Sequence, residues 1–139
     1  MTTPETPSGL FVVFEGGDGV GKSTQVLELV TRLQNRRIEP VVTRQPGGTP
    51  IGAKLRELLL DPSHPELTAR TEALVYAADK AQHVEEVILP ALERGKVVVC
   101  DRYVDSMIAY QGAGRVLDLA EVKRVARWAT GGLRPDLTV

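Results

Sequence analysis

The chain has 139 residues, a formal net charge of −1 and one cysteine. Its dispersed lysines and arginines leave no electrostatic footprint for nucleic acid or an acidic membrane surface, and a single cysteine excludes an internal disulfide. No apolar stretch approaches the roughly 20 residues a membrane span requires, so a cytoplasmic location is the default expectation. Residues 1–9 contain Pro4 and Pro7, lack the charged and apolar regions of a signal peptide, and read as a flexible tail. Residues 10–139 are long enough for one folded domain.

Leu10-Phe11-Val12-Val13-Phe14 reads as a short buried strand. Immediately after it, Gly16-Gly17-Asp18-Gly19-Val20-Gly21-Lys22-Ser23 matches G-x-x-x-x-G-K-[ST], the phosphate-cradling P-loop. Val26, Leu27, Leu29, Val30 and Leu33 then recur at helical spacing, so Lys22 and Ser23 open an amphipathic helix. Glycines allow a tight turn that brings backbone N–H groups onto phosphate oxygens, and the helix N-terminus adds positive potential. Lys22 supplies a charge for the outer phosphates, and the Ser23 hydroxyl can ligate Mg²⁺.

Glu39-Pro40-Val41-Val42-Thr43 is a second strand, ending in the loop Arg44-Gln45-Pro46-Gly47-Gly48-Thr49-Pro50. Residues 51–60 form a short helix stopped by Asp61-Pro62. From Glu66, the residues Leu67, Leu74, Ala78, Ala81, Val84, Ile88 and Leu92 predict one helical face, kinked or broken at Pro90 and ended by Gly95 at C′. Lys96-Val97-Val98-Val99-Cys100 is a third strand, with Cys100 as a small core residue and Asp101-Arg102-Tyr103 at its end. A short helix around 106–111, a helix over 118–130 and an incipient strand at Leu137-Thr138-Val139 follow. Alternating strands and helices predict an α/β fold of P-loop NTPase type: three layers, a parallel sheet flanked by helices on both faces.

In such a sheet, ligands bind beyond the carboxyl ends of the strands. The P-loop, residues 44–50 and residues 101–106 should converge there. Asp101 stands where P-loop proteins often place a metal-organising carboxylate, with a helix cap or loop ion pair as the alternative. Arg102 has the planar fork suited to phosphate, with a surface ion pair as its alternative. His64 and His83 read as surface residues, and Tyr76 and Tyr110 fall within helical apolar patterns as core aromatics would.

Four segments in order carry a family resemblance. Phe14-Glu15-Gly16-Gly17-Asp18-Gly19-Val20-Gly21-Lys22-Ser23-Thr24 resembles the P-loop of thymidylate kinases, and Thr43-Arg44-Gln45-Pro46-Gly47-Gly48-Thr49 their second loop. Ala77-Ala78-Asp79-Lys80-Ala81-Gln82-His83 and Asp101-Arg102-Tyr103-Val104-Asp105-Ser106, continuing into Ala109-Tyr110-Gln111-Gly112, resemble two further family segments. The resemblance implies transfer of the γ-phosphate of ATP to dTMP with Mg²⁺, nucleotides as the only partners besides a second copy in a homodimer, and P-loop contacts to ATP from Gly16 to Thr24. It implies Lys22, Arg102 and Asp18 as catalytic residues, and Ser23 and Asp101 at the metal. Asp18 would meet the sugar 3′-hydroxyl and Arg102 the acceptor phosphate. Tyr76 would stack on thymine, Lys80 would face the base, and Ser106 and Met107 would lie beside its edge. Tyr110 would underlie the deoxyribose, with Pro46 and Gln111 completing the acceptor side.

Gln45, Tyr76, Lys80 and Met107 depart from the glutamate, phenylalanine, arginine and polar residue usual in the family. Family chains also continue past the equivalent of Val139 into a basic lid and adenine pocket. Two other readings stand beside this one: a non-catalytic P-loop switch, and a related kinase with another acceptor.

Overall fold

A computed structural model describes residues 9–16, 21–103 and 117–139. Strand β1 (Leu10–Phe14) is buried on both sides, Phe11 and Val13 entering one apolar layer and Val12 and Phe14 the other. Such double burial explains the unbroken apolar run, because a parallel strand covered by helices has no solvent face. With β2 (Val41–Arg44), β3 (Val97–Asp101) and β4 (Leu137–Thr138) it forms a parallel sheet of order β2-β3-β1-β4. Strand β2 starts after Pro40, which has no N–H to give the ladder, and β3 extends one residue further than expected to include Asp101. Opposite register partners Phe14 and Asp101 therefore place the P-loop and the Asp101 turn at the same sheet end.

Helix α1 (Lys22–Asn35) covers one face with Val26, Leu29 and Leu33, packed on Val12, Phe14 and Val99. Leu27, which the spacing also assigned to that face, points away and is 66% exposed. After α2 (Pro50–Leu60), the expected long helix is continuous but in three parts: α3 (Ala69–His83), a π-helical turn (Val84–Ile88) and α4 (Leu89–Glu93). It begins at Ala69 rather than Glu66 because the Thr68 side chain caps it, accepting from Thr71 N–H.

Pro90 does not break the helix. The wider π turn precedes it, and the proline lies in the first turn of α4, where its missing N–H is tolerated. Gly95 takes the expected C′ position, with φ 75° and its N–H bonded to the Leu92 carbonyl. The buried face agrees with the expected one at Val84, Ile88 and Leu92 and differs from it along α3. Ala73, Ala77, Lys80, Val84, Ile88 and Ala91 are buried, whereas Leu74 and Ala78 are exposed.

On the second sheet face, Val84, Ile88, Ala91, Leu92 and Tyr103 pack on Phe11, Val13, Val98 and Cys100, and the rings of Phe11 and Tyr103 meet edge-on with centroids 5.0 Å apart. Helix α5 (Leu119–Thr130), capped by the Asp118 carboxylate at Ala120 N–H, lays Val122, Ala126 and Ala129 beside Ala77 and Tyr76. Trp128, on its outer face, is 86% exposed. Asp136 then joins the chain end to the sheet: its carboxylate accepts from Phe11 N–H at 2.7 Å and its N–H donates to the Phe11 carbonyl at 2.8 Å. No helix among the described residues is long and apolar enough to cross a membrane. Of the expected tail at 1–9, residues 1–8 lie outside the described residues, as does the short helix around 106–111, while Gly9 donates its N–H to the Leu92 carbonyl.

Candidate active site

Past the end of β1 the backbone reaches Gly16 at φ 121°, and Gly21 precedes α1 at φ 78°. Both conformations disfavour a side chain. Among the described residues helix α1 has no side-chain cap and no acidic residue in its first turn, which leaves the positive end of the helix uncompensated by them. Lys22, the first helical residue, is 8% exposed; its Nζ lies 2.7 Å from Asp101 Oδ1 and donates to the Gly16 carbonyl at 3.2 Å. Ser23 and Thr24 are exposed on the same turn.

Residues from three elements line a single cleft of about 450 Å³: Ser23 and Val26 of α1, Val42, Thr43, Arg44, Gly47 and Gly48 from β2 and its loop, and Asp101 from β3. The expected convergence of loops is thus present for their described parts, and Ser23 and Asp101 face the same space. Among the described residues no group of three His, Cys, Asp or Glu side chains could hold a metal. The Ser23 hydroxyl and the single Asp101 carboxylate are donors of the kind that suit Mg²⁺, which is commonly bound by one or two carboxylates with the remaining positions taken by phosphates and water.

Arg102 follows Asp101 in the left-handed region, at φ 69°. For a residue with a Cβ this costs roughly 1–2 kcal/mol, and hydrogen bonds hold it there. Arg102 N–H donates to the Phe14 carbonyl, the Cys100 thiol donates to the Arg102 carbonyl, and Tyr103 N–H donates to Glu15 Oε2. Burial, which raises the Cys100 and Tyr103 pKa values, keeps both groups protonated as donors; the Tyr103 hydroxyl gives its proton to the Leu133 carbonyl.

The second loop is secured from beneath by α3. Asp79 Oδ1 accepts from Gly47 N–H at 2.9 Å, Lys80 Nζ donates to Gln45 Oε1 at 2.7 Å, and His83 meets both Gln45 and Thr43. Arg56 donates to the Pro46 carbonyl, and the Gln45–Pro46 bond is cis. Gly48 has no room for a side chain: a Cβ there would lie 2.6 Å from the Arg44 carbonyl and from His83 Nε2. Burial raises the Asp79 pKa. It lowers that of Lys80 to about 8 and that of His83 to about 4, the Lys80 charge adding to the effect on His83.

Several sequence expectations change here. His83 is fully buried instead of at the surface, whereas His64 is exposed beside Asp61 and Glu66. Lys80 is 3% exposed, and its ammonium is engaged by Gln45 and the Tyr103 carbonyl. Gln45 is likewise buried. Tyr76 is half-buried against the α3–α5 seam. Asp79 and His83 were missed as loop anchors because the N-terminal half of the face was phased on Leu74 and Ala78; phased on Ala73 and Ala77 and running on to the expected Val84, the same period puts Lys80 inside. Gly17, Asp18, Gly19, Val20, Ser106, Met107, Tyr110 and Gln111 lie outside the described residues.

A sequence model of the family described as thymidylate kinase matches residues 14–139. The chain is 60% identical over 131 residues to the thymidylate kinase of Cutibacterium acnes, covering 94% of the chain and 64% of that relative. It is 54% identical over 139 residues to that of Leifsonia xyli subsp. xyli, covering 100% of the chain and 66% of the relative. A crystal structure of thymidylate kinase from Ehrlichia chaffeensis aligns with a TM-score of 0.84 at 35% identity, over 95% of this chain and 75% of that one. The chain therefore spans just under two thirds of the length of these curated relatives.

Proposed function

The chain belongs to the thymidylate kinase family, and from that membership we propose that it carries the phosphate-handling and acceptor sides of an enzyme that moves the γ-phosphoryl group of ATP to dTMP, giving dTDP and ADP. The observation that carries this reading is the meeting of Ser23 and Asp101 at one cleft, with Lys22 paired to Asp101 and Arg102 next in the chain. Phosphoryl transfer needs little covalent help, so positioning and charge neutralisation do most of the catalysis. Lys22 follows negative charge onto the transferring group. Ser23 and Asp101 would hold Mg²⁺, which when bound neutralises phosphate charge. The fork of Arg102 suits the acceptor phosphate.

Asp18 at the 3′-hydroxyl, Tyr76 on the base, Ser106 and Met107 at its edge, Tyr110 under the sugar, and Pro46 and Gln111 remain parts of this proposal. Lys80 is left out of the base contacts, since its donors are directed to Gln45 and Tyr103. A homodimer and a cytoplasmic location also belong to the proposal, checked by sedimentation and cell fractionation.

The test is ADP release across a panel of nucleoside monophosphates. Turnover should require dTMP, and dUMP should be disfavoured by only about 1–3 kcal/mol, the range for one methyl in an apolar pocket. ATP turnover indifferent to every acceptor would support a nucleotide switch instead.

A further inference from the structure

Asp79, Lys80 and His83 are buried under the loops that frame the cleft, yet none of them lines it. Hydrogen-bond direction can be assigned along most of this group. The Lys80 ammonium has only donors, so the Gln45 oxygen 2.7 Å away must accept. The Gln45 amide nitrogen is then the atom 2.8 Å from His83 Nδ1, and since it only donates, Nδ1 must accept. The His83 ring proton therefore sits on Nε2 and is given to Thr43 Oγ1 at 2.6 Å. Donation runs one way, from Lys80 to Gln45 to His83 to Thr43.

The other Lys80 bond crosses to a different loop. Its Nζ donates to the Tyr103 carbonyl at 2.8 Å and lies 5.6 Å from the Tyr103 ring centroid. Tyr103 directly follows the left-handed Arg102. A residue in that conformation persists only where its surroundings over-determine it. Lys80 supplies the restraint on the Tyr103 carbonyl, beside those Glu15 and Leu133 place on its N–H and hydroxyl, and the Gln45–His83–Thr43 chain anchors Lys80 to β2.

We propose that Lys80 is a positioning residue for Arg102: through Gln45 and His83 it ties the loop after β2 to the peptide that holds Arg102 in its left-handed turn. The kinetic consequence rests on the reading above, in which Arg102 receives the acceptor phosphate.

Lys80→Met keeps an unbranched apolar stem of similar length and removes the ammonium. A misplacement of about 1 Å can cost roughly 10²-fold, so kcat/KM for dTMP should fall by about 10- to 100-fold while KM for ATP moves less than about 3-fold. Amide exchange at Arg102 and Tyr103 should accelerate, with that of Val12 and Val99 unchanged. Should Lys80→Met fail to fold, Gln45→Met removes one Lys80 acceptor and the His83 donor, and the same readouts apply. Gln45→Glu replaces the amide donor with a second acceptor, so ring-nitrogen NMR should find the His83 proton moved to Nδ1. Unchanged dTMP constants, equal losses for both substrates, or unaltered exchange at Arg102 and Tyr103 would overturn the proposal. If the unmodified protein transfers nothing to dTMP, the functional reading falls, while exchange and ring-nitrogen spectra still decide whether Lys80 holds Arg102.

Discussion

Lys22 and Arg102 are held by different means, so their substitution should fail in different ways. Lys22→Ala removes the buried partner of a partly exposed Asp101. The circular dichroism spectrum should be retained while kcat falls by about 10²–10³, the scale of one lost electrostatic donor; near-normal turnover would remove Lys22 from the transferring group. Arg102→Gly suits the backbone, because glycine adopts φ 69° without a Cβ penalty. The backbone relief offsets part of what loss of the side chain costs, so the drop in dTMP turnover, at least about 10²-fold, should far exceed what the change in melting temperature accounts for. Buried neutral His83 adds a pH dependence. Its folded pKa, about 4, lies below its ordinary 6.5, so the unfolded chain binds more protons between those values. Stability is then fully present above about pH 6.5 and is lost as pH falls toward 4, by on the order of 3 kcal/mol. Melting curves at pH 7 and pH 5 should show this fall, and His83→Gln should flatten it while exposed His64 remains as a control.

At the scale of elements, what could be read from sequence depended on whether one physical effect dominated. Strand β1 and the P-loop helix were legible because an unbroken apolar run and a glycine loop each admit few alternatives. Gly95 was legible as a stop for the same reason. The phase of α3 was not, because its buried face is built from alanines and polar residues, with Leu74 turned outward. Apolar periodicity cannot distinguish a buried lysine from a solvated one; only the acceptors at Gln45 and Tyr103 do so, and they come from distant segments. The π turn before Pro90 was equally hidden, since proline signals a disturbance without saying how the chain absorbs it. Close approach at the α3–α5 seam leads to a packing prediction. Ala126 is fully buried beside Ala77, so Ala126→Leu should destabilise the protein by about 1–3 kcal/mol through overpacking, as measured by denaturant unfolding.

Across the described molecule, the strand beside β1 on the side away from β3 is short, with little buried surface of its own. Leu137 and Thr138 are exposed, and β4 pairs with β1 only at Val12 and Val13. The two bonds between Asp136 and Phe11 fasten it at one end, and the bonds of Val139 to the Val13 carbonyl and the Glu15 N–H fasten it at the other. Asp136→Ala leaves the Phe11 N–H without its carboxylate, a loss of about 1–3 kcal/mol. Exchange of the Phe11 amide should rise first, and an unchanged midpoint in denaturant would show that the edge is held elsewhere.

The position of Trp128 has a practical consequence for such measurements. It is the chain's only tryptophan, and it is 86% exposed in the folded state. Its indole is already surrounded by water before unfolding begins, so its emission maximum should barely shift when the core melts. Fluorescence would report a nearly featureless denaturation curve for a protein that unfolds cooperatively by circular dichroism. The same insensitivity makes the indole a clean optical reporter of the outer face of α5: a blue shift under native conditions would register that face being covered, undisturbed by changes in the core.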